Sequence, residues 1–235
     1  MMRVLVTRPI EDARETARQL SSRGFDPVIF PVMRIRFLES RLGSIDAYRA
    51  LIFSSGNGVR AFVRQSRRRD VKVFAVGPAT GTIAAEAGFR DVDVAPGSID
   101  KLVDRIVATT GKGSHLLHAA GRDVAHDLAA RRLSHDIRVT RKVLYEAVPE
   151  QYGKSEIVQP LSDPQLGAVL LFSPRSARLF AGLVSHAEMS ESCRRLTAVC
   201  LSSEVAKALA PLDFAEVRVA RAANQTALLG LLDSG

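Results

Sequence analysis

The feature that most constrains this chain is an internal repeat whose pieces arrive out of order. Ala50-Leu-Ile-Phe-Ser-Ser-Gly-Asn-Gly-Val-Arg-Ala-Phe62 matches Ala168-Val-Leu-Leu-Phe-Ser-Pro-Arg-Ser-Ala-Arg-Leu-Phe180 at an offset of 118 residues. Residues 76–95 parallel 201–220 at an offset of 125, and 4–30 is echoed by 116–139 at an offset near 112. Self-similarity of this extent means two like assemblies. The first piece of one opens the chain while its remainder follows the other, so one assembly is inserted in its twin.

Short β-branched runs alternate with amphipathic stretches of about ten residues, the pattern of βα units that feed mostly parallel sheets. Strands are expected at 3–7, 28–30, 50–53, 71–76, 92–94, 115–118, 138–139, 168–172, 198–201 and 217–220. Helices are expected where Ala13, Ala17 and Leu20 recur, at Leu102, Val103, Ile106 and Val107 after a Ser98 cap, and at Leu228, Leu229 and Leu232. The expected fold is α/β, with two similar parallel-sheet lobes, one inserted in the other and joined by a two-stranded β-ladder hinge. The first lobe takes 1–34 and 150–235, the inserted lobe 38–140, and the hinge strands 31–38 and 139–149. Such folds leave a cleft, and open α/β sheets bind ligands beyond the carboxyl ends of their strands.

Composition narrows the classes. Hydrophobic residues at 46% and charged residues at 25% are globular values that exclude a disordered tail or a coiled-coil rod. No run nears the roughly 20 apolar residues of a membrane span, and the apolar stretch at the N-terminus is too short for a secretory signal. Cys193 and Cys200 show neither metal-ligand nor disulfide-framework spacing, so a reducing cytoplasm is expected. The net charge is +8, and 27 of the 33 basic residues are arginine, whose planar fork favours bidentate contacts with anions. Skewed genomic base composition produces the same arginine excess, so charge alone decides nothing.

The residues that follow the strands are the candidates for binding: Thr7 and Arg8; Ser54, Ser55 and Asn57; Gly77 and Thr80; Gly121 and Arg122; Ser173, Arg175 and Ser176; and Ser202. Small and hydroxylic residues cap helix N-termini, where unpaired N–H groups and the dipole attract anions. Capping accounts for each turn taken singly. For the set together in a basic chain, anion binding stands level with it.

Sharper signals fail. Gly56-Asn-Gly58-Val-Arg-Ala61 fits a relaxed dinucleotide fingerprint, but no acidic residue ends the next strand. A Walker A loop is absent around Gly111-Lys-Gly-Ser114. His115 and His118 fall on opposite faces of a strand without a third ligand, and nothing in the spacing joins a histidine to one particular serine. Arg60, Arg64, Arg67, Arg68 and Arg69 read as a solvated helix C-terminus. Tyr145 lies in the returning crossing; its phenol, protonated at neutral pH, serves either as a proton donor or as a packing group.

With these residues in view, the chain resembles the uroporphyrinogen-III synthase family across nearly its whole length. The matching segments are Val4-Leu-Val-Thr-Arg-Pro9, Phe53-Ser-Ser-Gly-Asn57, Val76-Gly-Pro-Ala-Thr80, Gly121-Arg122, Val143-Leu-Tyr145 and Phe172-Ser-Pro-Arg-Ser176. The resemblance implies two α/β lobes joined by a β-ladder and a monomeric cytoplasmic lyase of tetrapyrrole biosynthesis without metal, cofactor, nucleic-acid or membrane partner. The substrate it implies is linear hydroxymethylbilane, which carries an acetate and a propionate on each pyrrole. That substrate loses its terminal hydroxyl as water, and the last ring is inverted through a spiro-pyrrolenine as the macrocycle closes. Tyr145 is then the acid that aids hydroxyl departure, Thr80 lies in the family's Gly-x-x-Thr turn, and Ser54, Ser55, Asn57, Gly121, Arg122, Ser173 and Ser176 hold carboxylates. In the last repeat the chain departs from the family, reading Ser202-Ser203-Glu204-Val205 where many members have a second Gly-x-x-Thr turn. Two other readings stand beside it: a two-lobed protein that binds or senses a small anion, and a nicotinamide-dependent enzyme built on Gly56 to Ala61.

Overall fold

A computed structural model describes residues 1–39, 42–95, 99–123, 128–130, 133 and 136–233. The expected Ser98 cap lies outside them. The chain divides into two compact units, unit one of Met1–Arg34 with Val148–Gly235 and unit two of Ile35–Ala147.

Unit one contains β1 (Arg3–Val6), α1 (Ile10–Ser22) and β2 (Asp26–Ile29). In unit two β3 (Met33–Phe37), which begins at the boundary, is followed by β4 (Ala50–Phe53), α2 (Gly56–Gln65), β5 (Lys72–Val76), α3 (Gly77–Glu86), β6 (Val92–Ala95), α4 (Ile99–Thr109) and β7 (His115–Gly121). The chain crosses back within β8 (Arg138–Pro149), and unit one resumes with α5 (Lys154–Leu161), β9 (Leu166–Leu171), α6 (Pro174–His186), a 3₁₀ turn at Ser190–Arg195, β10 (Thr197–Cys200), α7 (Ser203–Lys207), β11 (Glu216–Val219) and α8 (Gln225–Gly230).

The five-stranded sheet of unit one runs β11-β10-β9-β1-β2, and its pairs are parallel. In unit two the order is β3-β8-β7-β4-β5-β6, parallel from β8 to β6. Replacing β9, β10, β11, β1 and β2 by β4, β5, β6, β7 and β8 turns the first order into the second, which adds only β3. At β3 the Glu150 N–H donates to Val32 O and the Leu38 N–H to Leu144 O, so the numbering rises on one strand as it falls on the other: β3 and β8 are antiparallel.

The central strands read as continuous apolar runs because both their faces are covered. In unit two Leu51 and Phe53 pack with Val59 and Phe62 of α2 and Ala84 of α3. Ala50 and Ile52, on the other face, pack with Leu102 and Ile106 of α4. In unit one Val4, Val6, Ala168, Leu170 and Val199 pack with Leu20, Leu228 and Leu229. Each fully buried large apolar side chain contributes about 1.5–3 kcal/mol. Cys193 and Cys200 are buried free thiols, and burial pushes both up to about 11.

Candidate functional site

In unit two the site is assembled by the turn from β4 into α2. Ser55 is the N-cap of α2, and its Oγ accepts the Gly58 N–H at 3.4 Å. Position 58 is glycine because the helix end lies directly on β7: a Cβ there would stand 2.6 Å from the Ala119 carbonyl oxygen. Ser55 Oγ lies 2.8 Å from Tyr145 Oη of β8. Gly121 pairs with Tyr145 across a register shift at the end of β7, and a Cβ on Gly121 would sit 2.9 Å from two carbons of the phenol ring. Glycine therefore makes the space that the tyrosine fills. The Arg122 N–H donates to Tyr145 O at 2.8 Å, fixing the backbone beneath the ring.

Ser54, one residue earlier, is paired with His118 of β7, its Oγ 3.0 Å from Nε2. His118 is completely buried. β4 and β7 are neighbours in which Ile52 faces His118, so the contact comes from strand register, and nothing in the sequence spacing joins the two residues. His115, on the opposite face, bonds Thr140 Oγ1 at 2.7 Å and lies tilted against Tyr48. Asn57 Oδ1 accepts from Arg60 at 2.8 Å. Gly77 opens α3 with φ at +76°, a left-handed conformation natural to glycine, and Thr80 is buried in the first turns of that helix. Both belong to α3, which packs on α2 and β6.

Arg122 Nε donates to Glu146 Oε2 at 2.6 Å, and Arg36 of β3 reaches the other carboxylate oxygen through Nε at 2.7 Å. The hydrogen bond from Arg36 and then that from Arg122 hold the Glu146 carboxyl below the usual carboxylate range. Glu146 and Arg36 are the residues that sequence reasoning missed. Alternation of charge at Arg34 and Arg36 on the outgoing strand, with Glu146 and Glu150 on the returning one, was the available signal.

The remaining candidates lie in unit one. Thr7 is fully buried and its Oγ1 donates to Leu170 O at 2.7 Å, so the hydroxyl staples β1 to β9. Arg8 donates to Gln225 Oε1 at 2.6 Å and to Asp12 at 3.3 Å, and its guanidinium lies 4.4 Å above the Phe172 ring. Ser173 caps α6 reciprocally with buried Ser176: each side-chain oxygen accepts the other residue's N–H, at 3.0 and 3.1 Å. Arg175 is half-buried in the first turn of α6. Ser202 is the N-cap of the five-residue α7 but makes no side-chain capping bond. Instead Glu204 is held below the usual carboxylate range by its own N–H first and then by the hydroxyls of Ser202 and Ser203.

Two readings are corrected. Helix α2 ends at Gln65, so Arg67, Arg68 and Arg69 lie beyond it. Nor is the run simply solvated, since Arg69 donates to the carbonyls of Ala87, Ser66 and Arg68 at 2.7–2.8 Å, and Arg64 lies 4.1 Å over Phe37. Tyr152 offers a contrast to Tyr145, for its hydroxyl donates to Pro31 O at 2.9 Å, its ring stacks on Phe30, and burial above all pushes its phenol up to about 12.

No helix among the described residues is long and apolar enough to cross a membrane. A family model described as "Uroporphyrinogen-III synthase HemD" matches residues 14–230. A protein of Chlorobaculum parvum named uroporphyrinogen-III synthase is 25% identical over 208 residues, which cover 82% of this chain and 83% of that one. A relative from Methanocaldococcus jannaschii is 31% identical over 101 residues, 40% of this chain and 42% of its own length. Among solved structures, the uroporphyrinogen-III synthetase of Helicobacter pylori aligns with a TM-score of 0.65 at 15% identity, over 100% of this chain and 99% of that one. A mutant uroporphyrinogen III synthase from Thermus thermophilus aligns with a TM-score of 0.53 at 16% identity, covering 99% and 98%. These two likenesses concern the fold.

Proposed function

The chain belongs to the uroporphyrinogen-III synthase family, and we propose that it is a cyclising lyase that converts linear hydroxymethylbilane to uroporphyrinogen III in tetrapyrrole biosynthesis, with loss of water and inversion of the last pyrrole. The observation that carries the reading is the family match across residues 14–230. The Tyr145–Ser55 contact of 2.8 Å at the start of α2 supports the assignment of the acid. With two buried free cysteines, the chain suits a reducing cytoplasm.

The substrate's pyrroles are electron-rich and act as the nucleophiles, so the protein's task is to fold the chain and help the hydroxyl leave. Tyr145 donates its phenolic proton as the C–O bond breaks. The oxygen departs as water, and the electrons of the adjacent pyrrole nitrogen form the C=N bond of the azafulvene. Ser55, fixed by the Gly58 N–H, orients the phenol through its own hydroxyl. The α-proton lost when the attacked pyrrole ring regains its aromaticity restores the tyrosine. The carboxylates of the substrate suit the amide dipoles at the starts of α2, α3 and α6 and the guanidiniums nearby. Of the sequence candidates, Ser54, Ser55, Asn57, Gly77, Thr80, Gly121 and Arg122 serve this purpose in unit two, and Arg8, Ser173, Arg175 and Ser176 in unit one. Thr7 acts by holding β1, and Ser202 opens α7 beside Glu204.

The test supplies purified protein with freshly generated hydroxymethylbilane, oxidises the product and separates the isomers by chromatography. Isomer III is the expected product. Isomer I alone, the outcome of unaided closure, overturns the reading.

A further inference from the structure

Across β3, β8 and β7 the residues Arg36, Glu146 and Arg122 form one row. The hydrogen bonds Glu150 N–H to Val32 O and Leu38 N–H to Leu144 O set Arg36 opposite Glu146. On the other side of β8, Gly121 pairs with Tyr145, which brings Arg122 beside Glu146. Residues opposite one another in a sheet share a face, so the three side chains meet.

The row is charged unequally and exposed unequally. The Glu146 side chain is 10% exposed, while those of Arg36 and Arg122 are 63% and 60% exposed. A single carboxylate between two guanidiniums leaves one positive charge over. Among the described residues the Arg122 guanidinium is engaged through Nε alone, which leaves both its Nη groups; Arg36 uses Nε and Nη2 and retains Nη1. The buried carboxylate thus orients two planar forks whose outer N–H groups face water. An ion pair formed only for stability needs no second guanidinium, and exposed pairs contribute little in any case.

We propose that Arg36 and Arg122, aligned by Glu146, form a binding site for one carboxylate arm of the tetrapyrrole, an acetate or a propionate. The assignment rests on the function proposed above. Glu146 is the positioning residue. It follows Tyr145 directly, with Cα atoms about 3.8 Å apart and side chains on opposite faces of the strand. The arm held here is therefore one that passes the strand on the side away from the phenol. Guanidinium forks match a carboxylate in bidentate fashion, which a lysine cannot reproduce.

The experiment compares the parent with Arg36→Gln, Arg122→Gln and Arg36→Lys in two assays at low and high ionic strength. One is turnover of hydroxymethylbilane; the other is equilibrium binding of the non-reacting octacarboxylate uroporphyrin III, read by fluorescence. Each Gln variant is expected to raise KM and to weaken uroporphyrin binding by about threefold to tenfold, with a shallower dependence on salt. Arg36→Lys, which keeps the charge and the ion pair with Glu146, should fall between parent and Gln. If the Gln variants lower Tm yet bind uroporphyrin as the parent does at both salt concentrations, the row is only a structural seam and the proposal is overturned. Failure of the parent to form isomer III removes the enzymatic reading instead, which the parent's own turnover shows independently of the variants.

Discussion

Unit one and unit two share a strand order and differ at the ends of equivalent strands. In unit two, Ile52 faces His118 and is followed after Phe53 by Ser54, whose hydroxyl meets the imidazole. In unit one the equivalent places hold Leu170, Val6 and Phe172, and the ring of Phe172 carries the Arg8 guanidinium. The next residue is serine in both, Ser55 and Ser173, and each caps its helix. Beyond the cap the difference is one of reach: β2 has four residues and β8 has twelve. Only the longer strand, with Tyr145 opposite Gly121 at the end of β7, brings a tyrosine to the cap. Duplication supplied two similar helix ends, and a single extended strand made one of them chemically distinct.

The largest expected effect tests that distinction. Tyr145→Phe keeps the ring that fills the space beside Gly121 and removes only the hydroxyl. Turnover should fall by about 10²-fold or more, the scale of a lost general acid, while Tm stays near that of the parent. Parent-like turnover would remove the phenol from the chemistry and leave the two units functionally alike.

A second pair of variants compares repeat-mates. Gly58 and Ser176 occupy the same position of the repeat, yet Gly58 allows close approach of α2 to β7, whereas Ser176 completes a reciprocal cap. Gly58→Ala forces a methyl against the Ala119 carbonyl and should destabilise by about 1–3 kcal/mol, with lower activity because Ser55 is displaced from Tyr145. Ser176→Ala loses the hydroxyl and should cost about 1 kcal/mol, measured by urea unfolding. A larger loss from Ser176→Ala than from Gly58→Ala would reverse the comparison.

Much of this is legible in the sequence, and the rest is not for definite reasons. The parallel α/β class and the duplicated layout follow from apolar runs such as Ala168 to Leu171 and from the offset repeats, because burial on both faces leaves a mark in each strand. Strand β3 lies within the expected hinge strand 31–38, since Met33-Arg-Ile-Arg-Phe37 alternates polar and apolar residues as a half-buried strand at a sheet edge does. The pairing of Ser54 with His118 spans 64 positions and depends on which strands are neighbours. Glu146 escapes a sequence reading because its partners Arg36 and Arg122 come from two other strands' ends. Contacts across a sheet are set by register, and register has no local signature in a single sequence.

A smaller effect is expected from making unit two resemble unit one. His118→Val introduces the residue type found at Val6 and leaves the half-buried Ser54 to water, so the expected loss is about 1 kcal/mol. Adding Ser54→Ala removes the unmatched hydroxyl and should recover part of that loss, as a double-mutant cycle would read. A strictly additive cycle would mean that the 3.0 Å contact carries no coupling.

The smallest effect concerns the turn where the units differ in charge. After β5 the chain reads Gly77-Pro-Ala-Thr80 without a carboxylate, whereas after β10 the Glu204 carboxyl accepts from Ser203 Oγ at 3.1 Å and is held below its usual range by its own N–H and the nearby hydroxyls. A carboxyl held below its usual range stabilises the folded state at pH values above the unfolded value of about 4.3, and this contribution is lost as pH falls through the folded value. Glu204→Gln should therefore lower Tm slightly at pH 7 and leave it equal to that of the parent once the carboxyl is protonated in both the folded and the unfolded chain. The paired variant Thr80→Ala, which touches no titrating group in its turn, should shift Tm by a similar amount at both pH values. Equal pH dependence in the two variants would show that the Glu204 carboxylate is a bystander to the stability of α7.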